Sequence, residues 1–374
     1  MKKTVFKATA FLLALCLTAT LLSSCGESVK PKEGVRVAEI VSSTGINDGS
    51  FNYMINRTCT AFCGENNIPF RYYVVKDDNF DSYLSMIDAA IDDDYNVIVC
   101  NSSMSRAVKI ASKANPEIKF IGLDISKDDI AKNGEIPPNV NCSVFKEEYA
   151  GFMAGYAAVM EGYRHLGFVG GVPVAAVIRY GYGFLQGVNE AAKARGITDK
   201  VLVDYVYANQ FFGDSDITAY MDNWYANKKV EAVFCCGGKV WTSVASAAGP
   251  AEGRIIGVDV DQDEEINKYT GKKTALCSSM KSLDVALTDI LTSVTENNWS
   301  KYGGKFFKLG IVNRDDPKKN YVQISYHSEL MKNFTYDDYK ELVRKLYDGE
   351  LKVSDDVTRK PDLSVKVNYA GNIK

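Results

Sequence analysis

Apolar runs alternate with segments of helical periodicity from residue 35 to residue 260, and this order constrains the fold more than any other feature. The runs at 70–76 and 96–101 have the length of buried strands, and residues 79–93 between them place apolar side chains on one helical face. A βα unit that repeats in this way predicts a parallel sheet covered by helices on both faces. We therefore expect an α/β fold.

The strands are too numerous for one small sheet, and the pattern divides near residues 124–144. A late helix after a complete βα lobe indicates that the chain crosses back to the first lobe. We therefore predict two Rossmann-like lobes joined by a hinge around a central cleft. The predicted N-lobe comprises 35–124 plus 280–300, the first hinge crossing is 125–143, and the predicted C-lobe comprises 144–278 plus 301–374.

Residues 1–24 have the features of a secretory signal peptide. Basic residues, including Lys2 and Lys3, precede an apolar run at 8–22 that is short for a membrane span. Leu22-Ser-Ser-Cys25 resembles a bacterial lipobox, which implies cleavage before Cys25 and a lipid on its sulfur. The alternative is a plain signal peptide with a chance cysteine. We predict a lipid anchor at Cys25, a tether at 25–34, and a location on the extracytoplasmic face of the cell membrane.

The composition excludes several classes of function. The net charge of −3 and the pI of about 5.7 provide no basic surface for nucleic acid. The chain has two His and no complete catalytic or dinucleotide-binding motif. We therefore predict a protein that is not an enzyme and uses no cofactor. The enzyme alternative is a deacylating hydrolase based on Ser278 and Lys281, which match the S-x-x-K pattern.

The cysteines predict neither a disulfide framework nor a metal site. The chain has nine Cys, of which Cys16 and Cys25 fall in the N-terminal processing region, and the remaining seven cannot all be paired. Cys59 and Cys63 share a helix face at i, i+4 spacing, which would suit either a metal or core packing. No His or acidic residue is tied to this pair, so core packing is the prediction.

Polar side chains and glycines occur where the predicted strands end. Asp124 and Asp259 end two strands, Gly238 follows a third, and Lys281 follows a fourth. The carboxyl ends of parallel strands form one rim, so these groups should converge on the cleft, where open α/β sheets bind ligands. The local alternative is that Asp caps the next helix and Gly makes the turn. Their mixed charge favours a neutral polyhydroxylated ligand over an anion.

The loop after the first strand adds a second group of candidates. Asp48, Phe51 and Asn52 lie at its end, and a helix begins near Ser50, which has the residue type of an N-cap. A carboxylate, a carboxamide and an aromatic ring can hold a small polar ring by its face and its edges. The alternative is an ordinary βα turn whose polar side chains satisfy backbone N–H groups.

Several segments together resemble a known family. They are Gly45-Ile-Asn-Asp-Gly-Ser-Phe-Asn52, Phe145-Lys-Glu-Glu-Tyr-Ala-Gly-Phe-Met-Ala-Gly-Tyr156, Gly167-Phe-Val-Gly-Gly171, Arg179-Tyr-Gly-Tyr-Gly-Phe184, Ile256-Gly-Val-Asp-Val-Asp-Gln262 and Ser279-Met-Lys281. In this order they resemble the basic membrane protein family of ABC-transporter substrate-binding lipoproteins, which includes bacterial purine nucleoside receptors. The resemblance implies the type I periplasmic-binding-protein fold, a nucleoside-like ligand, and an ABC permease and ATPase as partners.

The resemblance also implies roles for individual residues. The receptors of this family stack a base between two aromatic rings, which here match Phe51 and Phe212, with Phe211 as the alternative to Phe212. Asn52 and Asp124 match residues on the edge of the base. The residues that match contacts to the ribose are Gly238, Asp259 and Lys281.

The chain departs from the family pattern in three places. Ser42 or Ser43 stands where the family has an Asp near the end of the first strand, the stretch before Phe212 is longer or shifted, and Lys239-Val-Trp241 replaces a more Gly-rich turn. These departures leave the ligand open. A sugar receptor of the same fold and a signalling lipoprotein without a transport role remain alternatives to a nucleoside receptor.

Overall fold

The computed structural model describes residues 34–326 and 329–373. The predicted signal peptide, Cys25 and most of the predicted tether lie outside the described residues. The described part contains thirteen strands and eleven α-helices. The strands are β1 (Val37–Val41), β2 (Phe70–Val74), β3 (Val97–Asn101), β4 (Lys119–Leu123), β5 (Val140–Phe145), β6 (His165–Gly170), β7 (Leu202–Tyr207), β8 (Ala232–Cys236), β9 (Arg254–Asp259), β10 (Ala275–Lys281), β11 (Lys305–Leu309), β12 (Val322–Ile324) and β13 (Lys366–Asn372).

Helices follow most of the strands, as the alternating pattern predicts. They are α1 (Phe51–Glu65), α2 (Phe80–Asp92), α3 (Ser105–Ala114), α4 (Lys127–Ala131), α5 (Glu147–Glu161), α6 (Ala175–Ala194), α7 (Ser215–Asp222), α8 (Val240–Ala251), α9 (Asp263–Thr270), α10 (Leu283–Thr295) and α11 (Tyr336–Tyr347). No helix within the described ranges is both long and apolar enough to cross a bilayer.

Two sheets confirm the predicted α/β fold. The first has the order β11-β5-β4-β3-β1-β2 and all its strands are parallel. The second has the order β12-β10-β9-β8-β6-β7-β13 and is parallel except for β12, which pairs antiparallel with β10. Strands β1, β5 and β8 are buried along their whole length, as expected for strands in a sheet with helices on both faces.

The sheet order corrects two predicted lobe boundaries. Strand β5 pairs with β4, so residues 140–145 belong to the first lobe and not to the crossing or the second lobe. Strand β11 pairs with β5, so the first lobe also contains residues beyond 300. Apolar runs reveal where buried strands lie, but a parallel strand can join either sheet without changing its pattern. The chain crosses between the sheets after β5, after β10 and between β11 and β12.

Helices α5 and α6 approach each other unusually closely, and this contact positions part of the cleft. A Cβ atom at Gly151 of α5 would lie 2.1 Å from the carbonyl oxygen of Tyr180, and one at Gly183 of α6 would lie 2.1 Å from that of Glu148. The close contact through these glycines joins α5 directly to α6. It brings the first turn of α5 against Arg179, beside the first crossing.

The seven cysteines at positions 59 to 277 are all buried and unpaired. Cys59 and Cys63 lie in the core on one face of α1. Burial raises the pKa of the Cys63 thiol to about 12, so the thiol stays protonated at neutral pH. These cysteines therefore act as small apolar side chains.

Candidate functional site between the lobes

A cavity of about 560 Å³ lies between the two lobes, at the carboxyl ends of strands from both sheets. Loops after β1, β2, β3 and β4 form its wall on the first lobe, and loops after β6, β7, β8, β9 and β10 form its wall on the second. This position is where α/β sheets of this type bind ligands. All eight predicted ligand-binding residues line it, namely Asp48, Phe51, Asn52, Asp124, Phe212, Gly238, Asp259 and Lys281.

Lys281 is the centre of a buried group of charges, which we call the hinge cluster: Lys281, Asp124, Asp259, Glu147 and Arg179. The Lys281 Nζ lies 2.5 Å from Asp124 Oδ2, 3.4 Å from Asp259 Oδ1 and 3.6 Å from Glu147 Oε1. The Lys281 side chain is only 2% exposed. Burial alone would lower the pKa of Lys281, but the three carboxylates outweigh it and raise this pKa. Lys281 therefore stays charged inside the cleft.

The carboxylates of the hinge cluster have unequal surroundings. Burial raises the pKa of Asp124 from 3.8 to about 6, although Lys281 opposes the shift. Asp124 Oδ1 is buried and forms no hydrogen bond with any described residue. Asp124 and Asp259 both have left-handed backbone conformations, with φ of 59° and 65°. Such conformations are uncommon outside Gly and are concentrated at functional sites.

Glu147 and Arg179 are the two members of the hinge cluster that the sequence analysis did not single out. Arg179 Nε donates to Glu147 Oε2 at 2.5 Å, and both side chains are largely buried. Both residues lie near helix starts, where a charged residue ordinarily faces solvent. Only the close packing of α5 on α6 places them behind Lys281, and no single-residue signal in the sequence indicates that contact.

The loop after β1 is fixed by Asp48. Its Oδ1 accepts from the backbone N–H of Ser50 and of Tyr53, both at 2.9 Å, and its Oδ2 accepts from that of Asn52 at 3.1 Å. Burial raises the pKa of Asp48, and these three hydrogen bonds oppose the shift. Asp48 therefore caps the start of α1, which is the local role that the sequence left open beside a ligand contact.

Ser50 precedes α1 but does not cap it through its side chain. Its hydroxyl instead donates to Asp259 Oδ2 at 2.6 Å, across the cleft. Two neighbouring carbonyl groups also accept from the second lobe, Gly49 from Gln262 Nε2 at 2.7 Å and Asp48 from Trp241 Nε1 at 3.2 Å. Ser50 therefore occupies the predicted N-cap position, but its side chain does not cap the helix, because Asp48 satisfies the helix start and leaves the Ser50 hydroxyl for the other lobe.

Asn52 supports the same loop. Its Nδ2 donates to Ser42 Oγ at 2.8 Å and to Thr44 Oγ1 at 2.9 Å. The amide nitrogen is therefore used within the first lobe. The amide oxygen of Asn52 is the side-chain atom that these bonds leave available for a ligand.

Aromatic rings form the apolar walls of the cavity. The Phe51 ring lies below Lys281, with Nζ 4.9 Å from the ring centroid, which is a cation–π distance. Phe212 is 50% exposed, whereas the Phe211 ring fits tightly against Gly171, where a Cβ would lie 2.5 Å from its Cδ1. Both residues line the cavity. Phe212 is thus the ring with freedom to meet a ligand, and Phe211 is held by packing.

Gly238 has a backbone reason to be glycine. Its φ is +48°, and a Cβ there would lie 2.6 Å from the Phe211 carbonyl oxygen. The same carbonyl accepts from Lys239 N at 2.7 Å. Gly238 therefore lets the loops after β7 and β8 close on each other at the rim of the cavity.

The hydrolase alternative has no geometric support. Ser278 and Lys281 are three residues apart on β10, so their side chains point to opposite faces. The Ser278 hydroxyl accepts from Gln262 N at 3.0 Å and donates to Asp263 Oδ1 at 3.1 Å. It is a buried structural group and does not line the cavity.

The family described as ABC transporter substrate-binding protein PnrA-like (Bmp) matches residues 35–356. The chain is 26% identical over 337 residues to the ABC transporter nucleoside-binding protein BmpA of Lactococcus lactis, covering 84% of this chain and 90% of that protein. It is 24% identical over 374 residues to the CD4+ T-cell-stimulating antigen of Listeria innocua, covering 93% and 99%.

Solved structures have the same fold. The solute-binding protein of an ABC transporter system from Aeropyrum pernix K1 superposes with a TM-score of 0.70 at 18% identity, covering 86% of this chain and 94% of that one. A protein of the same kind from Conexibacter woesei gives a TM-score of 0.65 at 16% identity, covering 86% and 99%. The type I periplasmic-binding-protein fold and the predicted family are confirmed. A family of this kind implies a small-molecule ligand and a membrane transporter as partner, and not an enzymatic activity. The chain belongs to the PnrA-like (Bmp) family of ABC transporter substrate-binding proteins.

Proposed function

We propose that this protein binds a purine nucleoside between its lobes and delivers it to an ABC importer. The hinge cluster carries the proposal. It combines one buried ammonium group with carboxylates from both lobes, so a neutral ligand needs to bring no counter-charge. Carboxylate oxygens accept sugar hydroxyl protons and the ammonium donates to hydroxyl oxygens. Asp124 Oδ1, which has no partner among the described residues, is an acceptor available to such a hydroxyl.

The aromatic wall supports a base beside the sugar. Phe51 lies next to Lys281, and Phe212 is half exposed in the same cavity. Stacking on such rings contributes about 1–3 kcal/mol per base. We assign Asp259, Lys281 and Gly238 to the sugar, and Phe51, Phe212 and Asn52 to the base. Asp124 bonds directly to Lys281, so we place it at the sugar and not at the base edge that the family resemblance implied.

Isothermal titration calorimetry with adenosine, guanosine, adenine, 2′,3′-dideoxyadenosine, AMP and ribose tests the proposal. A site that bonds hydroxyl groups rejects an analogue that lacks them, since its buried polar groups are left unpaired. We expect the free base and the dideoxynucleoside to bind at least ~100-fold more weakly than the ribonucleoside. AMP should also bind poorly because the hinge cluster has an excess of carboxylates. Tight binding of ribose alone would favour the sugar-receptor alternative.

We also propose that Cys25 carries a lipid that anchors the protein to the extracytoplasmic face of the membrane. The motif Leu22-Ser-Ser-Cys25 after an apolar run supports this. Cell fractionation of the Cys25→Ser variant is the test, and the variant should leave the membrane fraction. If it stays there as firmly as the wild type, the anchor lies elsewhere.

A further inference from the structure

The cavity continues beyond the residues assigned to sugar and base, toward the edge of the first sheet. The first-lobe wall follows the strand order β4-β3-β1-β2, with Asp124 after β4, Asn101 at the end of β3, Phe51 after β1, and Asp78 after β2. The ends of β4 and β2 are three strand spacings apart, about 14 Å. A ligand with its sugar at the hinge cluster therefore extends its other end toward Asp78.

Asp78 is held in a fixed position at that end. Its Oδ1 accepts from Ser43 N at 2.9 Å and from the Tyr83 hydroxyl at 2.8 Å, and its Oδ2 accepts from the Ser43 hydroxyl at 2.6 Å. A carboxylate has about four acceptor positions, so these three bonds leave capacity for another donor. The arrangement orients the carboxylate against the strand β1 loop while it still lines the cavity.

Arg106, which has the opposite charge to Asp78, lines the same cavity. The Arg106 guanidinium carbon lies 4.2 Å above the Phe80 ring centroid, and both residues line the cavity. Among the described residues, none forms a hydrogen bond or an ion pair with Arg106. Stacking occupies a face of the guanidinium and leaves its in-plane N–H groups available, in a fork that suits two neighbouring acceptors.

We infer that Arg106 and Asp78 read the edge of the base, and that the cavity prefers 6-oxopurine nucleosides, guanosine and inosine, over adenosine. This inference rests on the proposed function. Guanine presents O6 and N7 as neighbouring acceptors, which a guanidinium binds with two hydrogen bonds. Adenine places an amino group where guanine has O6, so its N–H would face the N–H groups of Arg106. The one acceptor position that remains on Asp78 Oδ2 can accept from the guanine 2-amino group.

A purely local role for these residues predicts different behaviour. If Asp78 only ties the loops after β1 and β2 together, its loss lowers the stability of the fold and reduces the affinity for all nucleosides equally. If Arg106 is only a surface residue stacked on Phe80, its loss changes no affinity. Base selectivity is therefore the readout that separates recognition from structural support.

The experiment is calorimetry of guanosine, inosine and adenosine with the wild type, Arg106→Gln, Arg106→Lys and Asp78→Asn. A matched control is Arg71→Gln, because Arg71 also stacks on an aromatic ring of the first lobe, with its guanidinium carbon 4.9 Å from the Tyr73 centroid, but does not line the cavity. The melting temperature of each variant without ligand reports its folding.

We expect the wild type to bind guanosine at least ~10-fold more tightly than adenosine. Arg106→Gln should lower the affinity for guanosine and inosine by about 5- to 150-fold and the affinity for adenosine by less than about threefold. Arg106→Lys keeps the charge but loses the two-bond geometry, so it should recover only part of this loss. Asp78→Asn should weaken guanosine more than inosine, since only guanine has the 2-amino group. Arg71→Gln should change none of these affinities.

Two results would overturn the inference. Equal affinity of the wild type for adenosine and guanosine, or an equal loss for all three ligands in Arg106→Gln, removes the base-edge role but leaves the proposed nucleoside function standing. Failure of every nucleoside to bind the folded wild type removes both.

Discussion

The two ends of the cavity differ in burial and in charge. At the hinge end, Lys281 and Asp124 are almost completely buried and Glu147 is fully buried. At the outer end, Phe212 is half exposed, and Arg106 and Asp78 are exposed. The buried end was desolvated and ordered when the protein folded, so its groups are positioned before a ligand arrives. The exposed end loses its contact with water only when a ligand binds.

This difference predicts how mutations at the two ends divide between stability and affinity. A change in the hinge cluster should affect folding and binding together, because its charges are each other's main partners. A change at the outer end should affect binding alone, because its side chains bury little without a ligand. Three predictions test or sharpen the comparison.

The largest effect should come from Lys281→Met. Removing this ammonium leaves buried carboxylates from both lobes without their shared cation, which typically costs about 3–5 kcal/mol of unfolding free energy. Nucleoside affinity should fall as well. The control is Lys308→Met, because Lys308 and Asp355 form an ion pair at 3.0 Å in which both side chains are more than half exposed. Such a pair contributes about 0–1 kcal/mol. Denaturant unfolding compares the two, and equal losses would show that the hinge cluster is no more important to folding than a surface pair.

An intermediate effect should come from Phe212→Ala. Loss of the half-exposed ring should weaken purine nucleosides by about 1–3 kcal/mol while the melting temperature without ligand stays nearly unchanged. Phe51→Ala should weaken the same ligands and also lower the melting temperature, because Phe51 packs against the core. Calorimetry and thermal unfolding of both variants provide the comparison. An unchanged affinity in Phe212→Ala, with a loss in Phe211→Ala, would make Phe211 the second stacking ring.

The same division explains what the sequence could predict. Asp124, Asp259 and Lys281 end or follow strands, and the geometry of parallel sheets alone brings such residues to one rim. Glu147 and Arg179 could not be found in that way, because their place depends on how closely two glycine-bearing helices approach.

The sequence could not predict the contacts between the lobes for a related reason. The bond from Ser50 to Asp259 joins residues 209 positions apart, and nothing local distinguishes Ser50 from an ordinary helix cap. Likewise, β5 and β11 have the pattern of buried strands, but pairing order is a tertiary property that the apolar pattern of a single strand does not encode. The polar residues at strand ends can therefore be predicted from the sequence, whereas the residues that they contact on other elements cannot.

The smallest effect should be a pH dependence that arises at the hinge end. The pKa of Asp124 is raised from 3.8 to about 6, so this group's contribution to folding stability is complete below about pH 4 and is lost as the pH rises through 6. Binding should change in the opposite direction if the ionised carboxylate accepts a sugar hydroxyl. An acceptor that is about one-tenth ionised at pH 5 and nine-tenths ionised at pH 7 predicts roughly tenfold weaker binding at pH 5. Calorimetry at both pH values measures this, and Asp124→Asn is the control, since its amide oxygen can still accept but does not titrate. Glu148, whose burial raises its pKa to about 7, remains in that variant, so a pH dependence that persists in Asp124→Asn would assign the titration to Glu148 or to another group and not to Asp124.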